Sequence, residues 1–249
     1  MKSEGTCLLV DNSNTRTKFA LSGTSGAEIR VLATADISED NVQQLLEGWA
    51  FERVCLCSVV PSAADALRRI FADFPVMNLT HVHATDIDFS LYPGLATLGA
   101  DRIANVLAAC QHAPLPLVAV DLGTASTLDV LCQSQGRASF IGGMIAPGMA
   151  SVASSMHAHT AQLPDLGNLF HGPVIGRNTR EAMAAAVRVG YPGMRDSLLD
   201  AIEKELGEEI HVILTGGDAS SVAAALRRKC IIVPHLTLQG IALAAGVTF

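Results

Sequence analysis

The sequence predicts an α/β protein built from two similar domains, residues 1–114 and 115–249. Three observations predict it. Apolar runs of strand length alternate with stretches of helical period along the chain. A length of 249 residues suits two domains of ordinary size. The second half also opens as the first does, with a short apolar run, an aspartate, a polar turn and a return strand.

Cys7-Leu8-Leu9-Val10 is the first strand and ends in Asp11. Asn12 to Thr15 is polar and turn-prone, and Lys18 to Leu21 returns as the second arm of a hairpin. Val54 to Val60 reads as a buried strand stopped by Pro61, after which Leu67, Ile70 and Phe71 mark a helix face. Tyr92 to Gly99 is loop. Ile103, Val106, Leu107 and Cys110 follow the spacing of an amphipathic helix, with Asp101 near its start. Pro114 and Pro116 break the chain between the domains. Leu117 to Val120 then repeats the first strand, ends in Asp121, and is followed by Leu122 to Thr127 and a return strand from Leu128. Asn178 with Glu181 predicts a helix start of capping-box type, running to Gly190. A separate helix is expected from Met194 to Leu206. Ile210 to Leu214 is a strand leading into Gly216-Gly217-Asp218, with Asp218 expected to cap the next helix.

Hydrophobic residues make up 49% and charged residues 16%, which indicates a packed core rather than a disordered chain. A net charge of −7 argues against broad binding to nucleic acid. The basic run Arg227-Arg228-Lys229 is read as complementing a helix C-terminus. Met1 to Gly5 lead directly into a strand, and no apolar stretch is long enough to cross a bilayer, so a cytoplasmic protein with no membrane partner is expected. The six cysteines lie mostly in apolar runs and read as buried thiols of a reducing compartment. The pairs Cys55/Cys57, His81/His83 and His157/His159 lack further ligands at metal spacing.

Three segments carry chemistry. At Asp11 to Lys18 a strand ends in a carboxylate beside a tight polar turn. The carboxylate suits a magnesium ion and the turn amides suit phosphate, but a plain turn with a solvated Asp and Lys explains the same residues. Asp121-Leu122-Gly123-Thr124 repeats the pattern. Gly216-Gly217-Asp218, between strand and helix, offers a bare backbone that a flat adenosine can approach. Two facing Asp-ended hairpins and such a segment, in this order, resemble the ribonuclease H-like domains of the actin and acetate-and-sugar-kinase type, which face a nucleotide cleft. The Gly-rich phosphate loop ending in Lys-Ser/Thr is not in the sequence.

The resemblance sharpens along the chain. Asp11 to Lys18, Ser58-Val59-Val60-Pro61, Tyr92 with Leu98-Gly99-Ala100-Asp101-Arg102, Asp121 to Ala125, Gly142 to Gly148, Thr160 to Pro164, Gly176-Arg177-Asn178-Thr179 and Thr215 to Ala219 are similar, in order, to the motifs of type III pantothenate kinases. That family transfers the γ-phosphoryl of ATP to the hydroxyl of pantothenate, the first step of coenzyme A biosynthesis. The resemblance implies that Asp11, Asn12, Ser13, Asn14, Thr15, Arg16, Thr17, Lys18 and Thr124 bind ATP, with Mg²⁺ carried on ATP at Asp11. It implies a monovalent cation, K⁺ or NH₄⁺, at Asp121, and a homodimer. It assigns pantothenate to Tyr92, Gly99, Ala100, Asp101, Arg102 and Thr179, with Asp101 as general base. Taken locally, Asp101 and Thr179 equally suit helix capping, and Arg102 a surface ion pair. Where the family usually has Gly this chain has Ser13. A positive φ there would strain the serine by about a kcal/mol or more. An actin-fold kinase with another small hydroxyl substrate, and a non-catalytic accessory factor for transcription, are the alternatives.

Overall fold

β1 (Cys7–Asn12) is buried at every residue, which only a central strand covered on both faces allows. In this computed structural model, which describes residues 5–23, 28–167 and 172–249, it lies in the middle of a five-stranded sheet. The expected lead-in residues Met1 to Glu4 fall outside the described residues. The chain forms two compact units. The first comprises Met1–Ala113, Leu131–Ile141 and His235–Phe249, and the second Pro114–Val130 and Gly142–Pro234. Relative to a division at 114/115, two later pieces are thus placed with the first unit.

In the first unit β2 (Arg16–Leu21) pairs antiparallel with β1, and β3 (Ile29–Ala33) extends the sheet beyond it. α1 (Glu39–Leu45) starts at Ser38, whose side chain accepts the Asn41 amide. β4 (Arg53–Ser58) runs parallel to β1, and Pro61 opens α2 (Pro61–Ile70), where its missing N–H costs nothing. β5 (Val76–Asn78) forms the other edge. Leu8 and Val10 point to one face and pack with Phe19, Val42, Val54, Leu56, Leu67 and Phe71. The short β6 (Ile87–Asp88) and α3 (Ala100–Ala109) follow, and α3 is buried from Arg102 onward.

The second unit opens with β7 (Leu117–Leu122), the start of β8 (Ala125–Ser134) and the end of β9 (Arg137–Pro147). The remaining stretch of that hairpin belongs to the first unit, where Ile87 and Asp88 pair with Ala138 and Ser139. α4 (Met149–Ala158) follows, then α5 (Thr179–Leu206), β10 (His211–Thr215), α6 (Ala219–Ala223) and β11 (Ile231–Ile232). β10 lies parallel to both β7 and β11. α7 (Leu236–Ala244) returns to the first unit and packs on α3.

Three expectations are corrected. The two helices expected around Gly190 are one 28-residue helix, α5, which continues through Pro192. A mid-helix proline costs about 3 kcal/mol, but Tyr191, Pro192, Arg195, Asp196 and Leu199 are all buried, and that packing outweighs the missing hydrogen bond. Arg227 and Arg228 do not serve a helix end. They bind the acidic side of α5, Arg227 through Asp196 at 3.1 Å and Asp200 at 2.8 Å, and Arg228 through Asp200 and Glu203. Asp218 precedes α6 without a side-chain capping bond. At α5 the predicted cap does form, since Asn178 accepts the Glu181 amide at 2.9 Å, while the Glu181 carboxylate takes the Arg177 amide.

α3 and α7 approach so closely that a Cβ on Gly240 would lie 1.9 Å from the Ala104 carbonyl oxygen. Beside them Thr237 donates to Asn105 at 2.9 Å in a buried bond. The Gly240→Ala variant is therefore expected to lose about 1–3 kcal/mol, because the helices must separate. Urea unfolding measures this, and an unchanged midpoint would contradict the close packing.

Candidate functional site

Each local site is built around a carboxylate near the end of a strand, Asp11 in the first unit and Asp121 in the second. In the first unit the antiparallel register sets Lys18 opposite Asp11 and Thr17 opposite Asn12. Asp11 is 5% exposed, and Lys18 Nζ reaches its Oδ2 at 3.1 Å. Asn12 donates to Thr17 Oγ1 at 2.7 Å and accepts from Ser58 Oγ at 2.6 Å. Thr34 donates from its hydroxyl to the Ser13 carbonyl at 2.7 Å, and from its backbone amide to the Thr15 carbonyl at 3.1 Å. The turn is thus tied to the segment that follows β3, and the strand before it to β4. Asn14, Thr15 and Arg16 are left exposed at its tip.

Ser13 is not strained. Among the described residues only Gln135 and His235 have positive φ without being glycine. The Ser13 hydroxyl and amide both donate to the Arg16 carbonyl, at 3.0 and 3.1 Å, so serine closes the turn with a bond that glycine lacks.

Asp101 is the second residue of α3, and its Oδ1 accepts the Arg102 amide at 2.7 Å. Capping alone would favour the ionised form. Burial wins instead and pushes the Asp101 carboxyl above its ordinary value, the Arg102 amide bond opposing it and the negative charge of Asp11 adding to the rise. Cys57, opposite Asp11 on β4, is held well up by burial and by both carboxylates. Arg102 is 9% exposed, with its guanidinium 5.7 Å from the Phe140 ring centre. Tyr92 meets the same ring edge-on at 5.0 Å. Tyr92, Arg102 and Phe140 therefore form one cluster near Asp101, and Phe140 gave no sequence signal beyond its place in an apolar run.

His235 also escaped sequence reading. It precedes α7 in the left-handed conformation, φ 58°, and its imidazole feels both Lys18 and Asp11. Burial foremost and Lys18 next hold it below its usual value, against the pull of Asp11.

In the second unit Asp121 is the last residue but one of β7, opposite Thr215 of β10. Gly216 follows with φ 92°, and a Cβ there would stand 2.4 Å from the Leu122 carbonyl and 2.7 Å from Asp121 Oδ1. A side chain there would collide with both, so the close approach of the Gly216 backbone to Leu122 and Asp121 requires glycine. Thr124 is exposed, and its carbonyl accepts Gly148 N–H at 3.0 Å and Ser151 Oγ at 2.6 Å. Thr179 is exposed in the first turn of α5, and Asn178, not Thr179, caps that helix. Among the described residues no group of three or more His, Cys, Asp or Glu side chains is arranged to hold a metal. None of their helices is long and apolar enough to cross a membrane.

Comparison with known proteins shows the family and the fold. The model of the type III pantothenate kinase family matches residues 7–201. A type III pantothenate kinase of Akkermansia muciniphila is 36% identical over 247 residues, covering 97% of this chain and 99% of its own. The Methylacidiphilum infernorum protein of the same description is 34% identical, covering 95% and 86%. Among solved structures, a conserved putative Baf family transcriptional activator from Campylobacter jejuni superposes with TM-score 0.60 at 19% identity, covering 96% and 97%. MreB 5 of Spiroplasma citri bound to AMPPNP gives 0.51 at 10% identity, covering 98% and 96%. A ROK family glucokinase from Streptomyces griseus in complex with glucose and AMPPNP also gives 0.51 at 10% identity, covering 97% and 98%. These three likenesses show the fold alone, an α/β fold of the actin and ribonuclease H-like type with two domains.

The raised Asp101 carboxyl has a consequence for stability. The native state holds this proton more tightly than an unfolded chain with the ordinary value of 3.8. Its contribution is therefore favourable below that value and is lost as pH rises through the native one. Asp101→Asn should match the wild type in stability near pH 3.8 and exceed it at neutral pH. Chemical unfolding at both pH values tests this, and a variant less stable at neutral pH would reverse the sign.

Proposed function

The chain belongs to the type III pantothenate kinase family, and from that membership we propose how its residues divide the ATP-dependent phosphorylation of pantothenate. The ordered match over residues 7–201 carries the assignment of the reaction. The placement of Asp101 carries the mechanism.

Phosphoryl transfer asks the protein mainly for positioning and charge neutralisation, but a hydroxyl nucleophile must still lose its proton. Asp101 takes the proton of the pantothenate hydroxyl as that hydroxyl attacks the γ-phosphorus. A carboxylate made more basic by burial suits this role better than a solvated one. Arg102 offers a planar fork to the pantothenate carboxylate, and its seat beside Phe140 and Tyr92 limits its orientation. Gly99, Ala100 and Thr179 complete the substrate contacts. Asp11 to Lys18 and Thr124 hold the ATP phosphates. Lys18 is already aimed by its pair with Asp11.

Magnesium bound with ATP would neutralise phosphate charge, and Asp11 is the residue that would hold it. One or two carboxylates suffice for Mg²⁺ on a nucleotide, so the lack of a larger acidic cluster among the described residues does not oppose this. Asp121, a carboxylate near the end of β7, is the residue proposed for a potassium or ammonium ion. We also propose a homodimer. Its support is the exposed apolar set Ile145, Val174, Ile175 and Val189 of the second unit. The cytoplasm is the proposed compartment, consistent with the buried free thiols Cys7, Cys55 and Cys57.

ADP release with ATP, Mg²⁺ and pantothenate, in potassium and again in sodium, tests the scheme. Turnover should depend on potassium and should fall by about 10²–10⁴-fold in Asp101→Asn. Loss of only a few-fold in that variant would remove Asp101 as the base. Separately, Arg102→Ala should raise KM for pantothenate by about tenfold or more while moving KM for ATP little. Equal changes in the two values would reject a carboxylate contact.

A further inference from the structure

Arg195 of α5 is the largest fully buried side chain among the described residues, with 1% of its surface exposed. Its guanidinium lies 4.2 Å from the Tyr191 ring centre, and Nη2 donates to the Pro147 carbonyl at 2.8 Å. Nε and Nη1 meet no acceptor among the described residues. A guanidinium buried in this way is a poor source of stability, since its desolvation is answered by one carbonyl and one ring.

What that carbonyl belongs to is informative. The next residue is Gly148, whose amide donates to the Thr124 carbonyl at 3.0 Å. Ser151, one turn into α4, donates to the same oxygen at 2.6 Å. The fit is tight, for a Cβ on Gly148 would stand 2.0 Å from the Gly123 carbonyl. On the other side of Thr124, Ser126 shares a 2.7 Å hydrogen bond with the Tyr191 hydroxyl. Thr124 is therefore bracketed. Arg195 fixes the segment that clasps its carbonyl, and Tyr191, over which Arg195 stacks, fixes the strand that follows it.

We propose that Arg195 is a positioning residue for the second phosphate loop, acting on Thr124 through Pro147 and Gly148, with Tyr191 as its partner. The inference rests on the reading of Thr124 as an ATP phosphate contact. A loop held from both sides keeps Thr124 in place before the nucleotide binds, so ordering it costs less on binding.

The test compares Arg195→Met, Arg195→Lys, Tyr191→Phe and Thr124→Ala in steady-state kinetics and thermal unfolding. Arg195→Met should raise KM for ATP about five- to tenfold, leave KM for pantothenate within twofold, and leave the unfolding midpoint unchanged or higher. Arg195→Lys should recover most of the loss, because an ammonium can still donate to the Pro147 carbonyl. Tyr191→Phe should show a smaller rise in the same KM. An ATP KM within twofold of wild type in Arg195→Met, with a raised value in Thr124→Ala, overturns the role of Arg195 alone. A joint rise in both KM values with a lower midpoint also overturns it, because that is general loosening of the unit. An unchanged ATP KM in Thr124→Ala overturns the phosphate reading of Thr124, and the positioning role falls with it.

Discussion

A carboxylate at the end of a fully buried strand has to be held in place, and the first unit is organised around that need. Asp11 closes β1, and the hairpin register delivers Lys18 to it at 3.1 Å. Register here is not adjustable. A slip by one residue would turn Phe19 out of the core and Lys18 into it. The same register sets Asn12 against Thr17, and Asn12 carries the link onward to Ser58 of β4. Charge placement and core packing are thus fixed by one set of pairings. Asp101 then experiences the Asp11 charge from the start of a helix whose body is buried, and its proton affinity rises.

Local placement was more legible in the sequence than the long-range structure. Asp11 and Asp121 could be found because a strand that ends in Asp before a polar turn has a local pattern. Asp101 could be found because the change to helical period begins beside it. The continuity of α5 could not be read, since Gly190, Pro192 and Gly193 all argue locally for a break, and the packing that overrides them comes from distant residues. The partners of Arg227 and Arg228 were hidden for the same reason, as they lie on a helix about thirty residues earlier. His235 lay beyond reach because left-handed backbone at a non-glycine residue has no signature in one sequence. Ser13 shows the opposite error. Its departure from a glycine pattern suggested strain, whereas its hydroxyl supplies a turn bond that a glycine cannot make.

The arginines of the second unit divide by what answers their charge. Arg227 and Arg228 sit against Asp196, Asp200 and Glu203 and tie the chain after α6 to α5. Of these carboxylates only Asp196 is deeply buried, and it takes both the amide and the guanidinium of Arg227. Such pairs help to fix the place of a segment more than they add stability. Arg195, one residue before Asp196, points into the unit and finds a carbonyl rather than a carboxylate. Neighbouring buried residues on one helix thus find different partners, the acid the basic run and the base the Pro147 peptide.

That contrast bears on how a small kinase can keep its reacting groups ready. Burial of Asp101 beside another negative charge, and of Arg195 without an acid among the described residues, both work against folding. Each cost is relieved only in part by local partners. It is offset where the chain is most apolar, in the β1–β4 core and at the close crossing of α3 and α7. Because α3 is held by that crossing along its buried length, its first turn can keep a carboxylate in an unfavourable setting without unwinding. A more stable site would be easy to build by neutralising Asp101, and it would lose the carboxylate whose proton affinity burial raises.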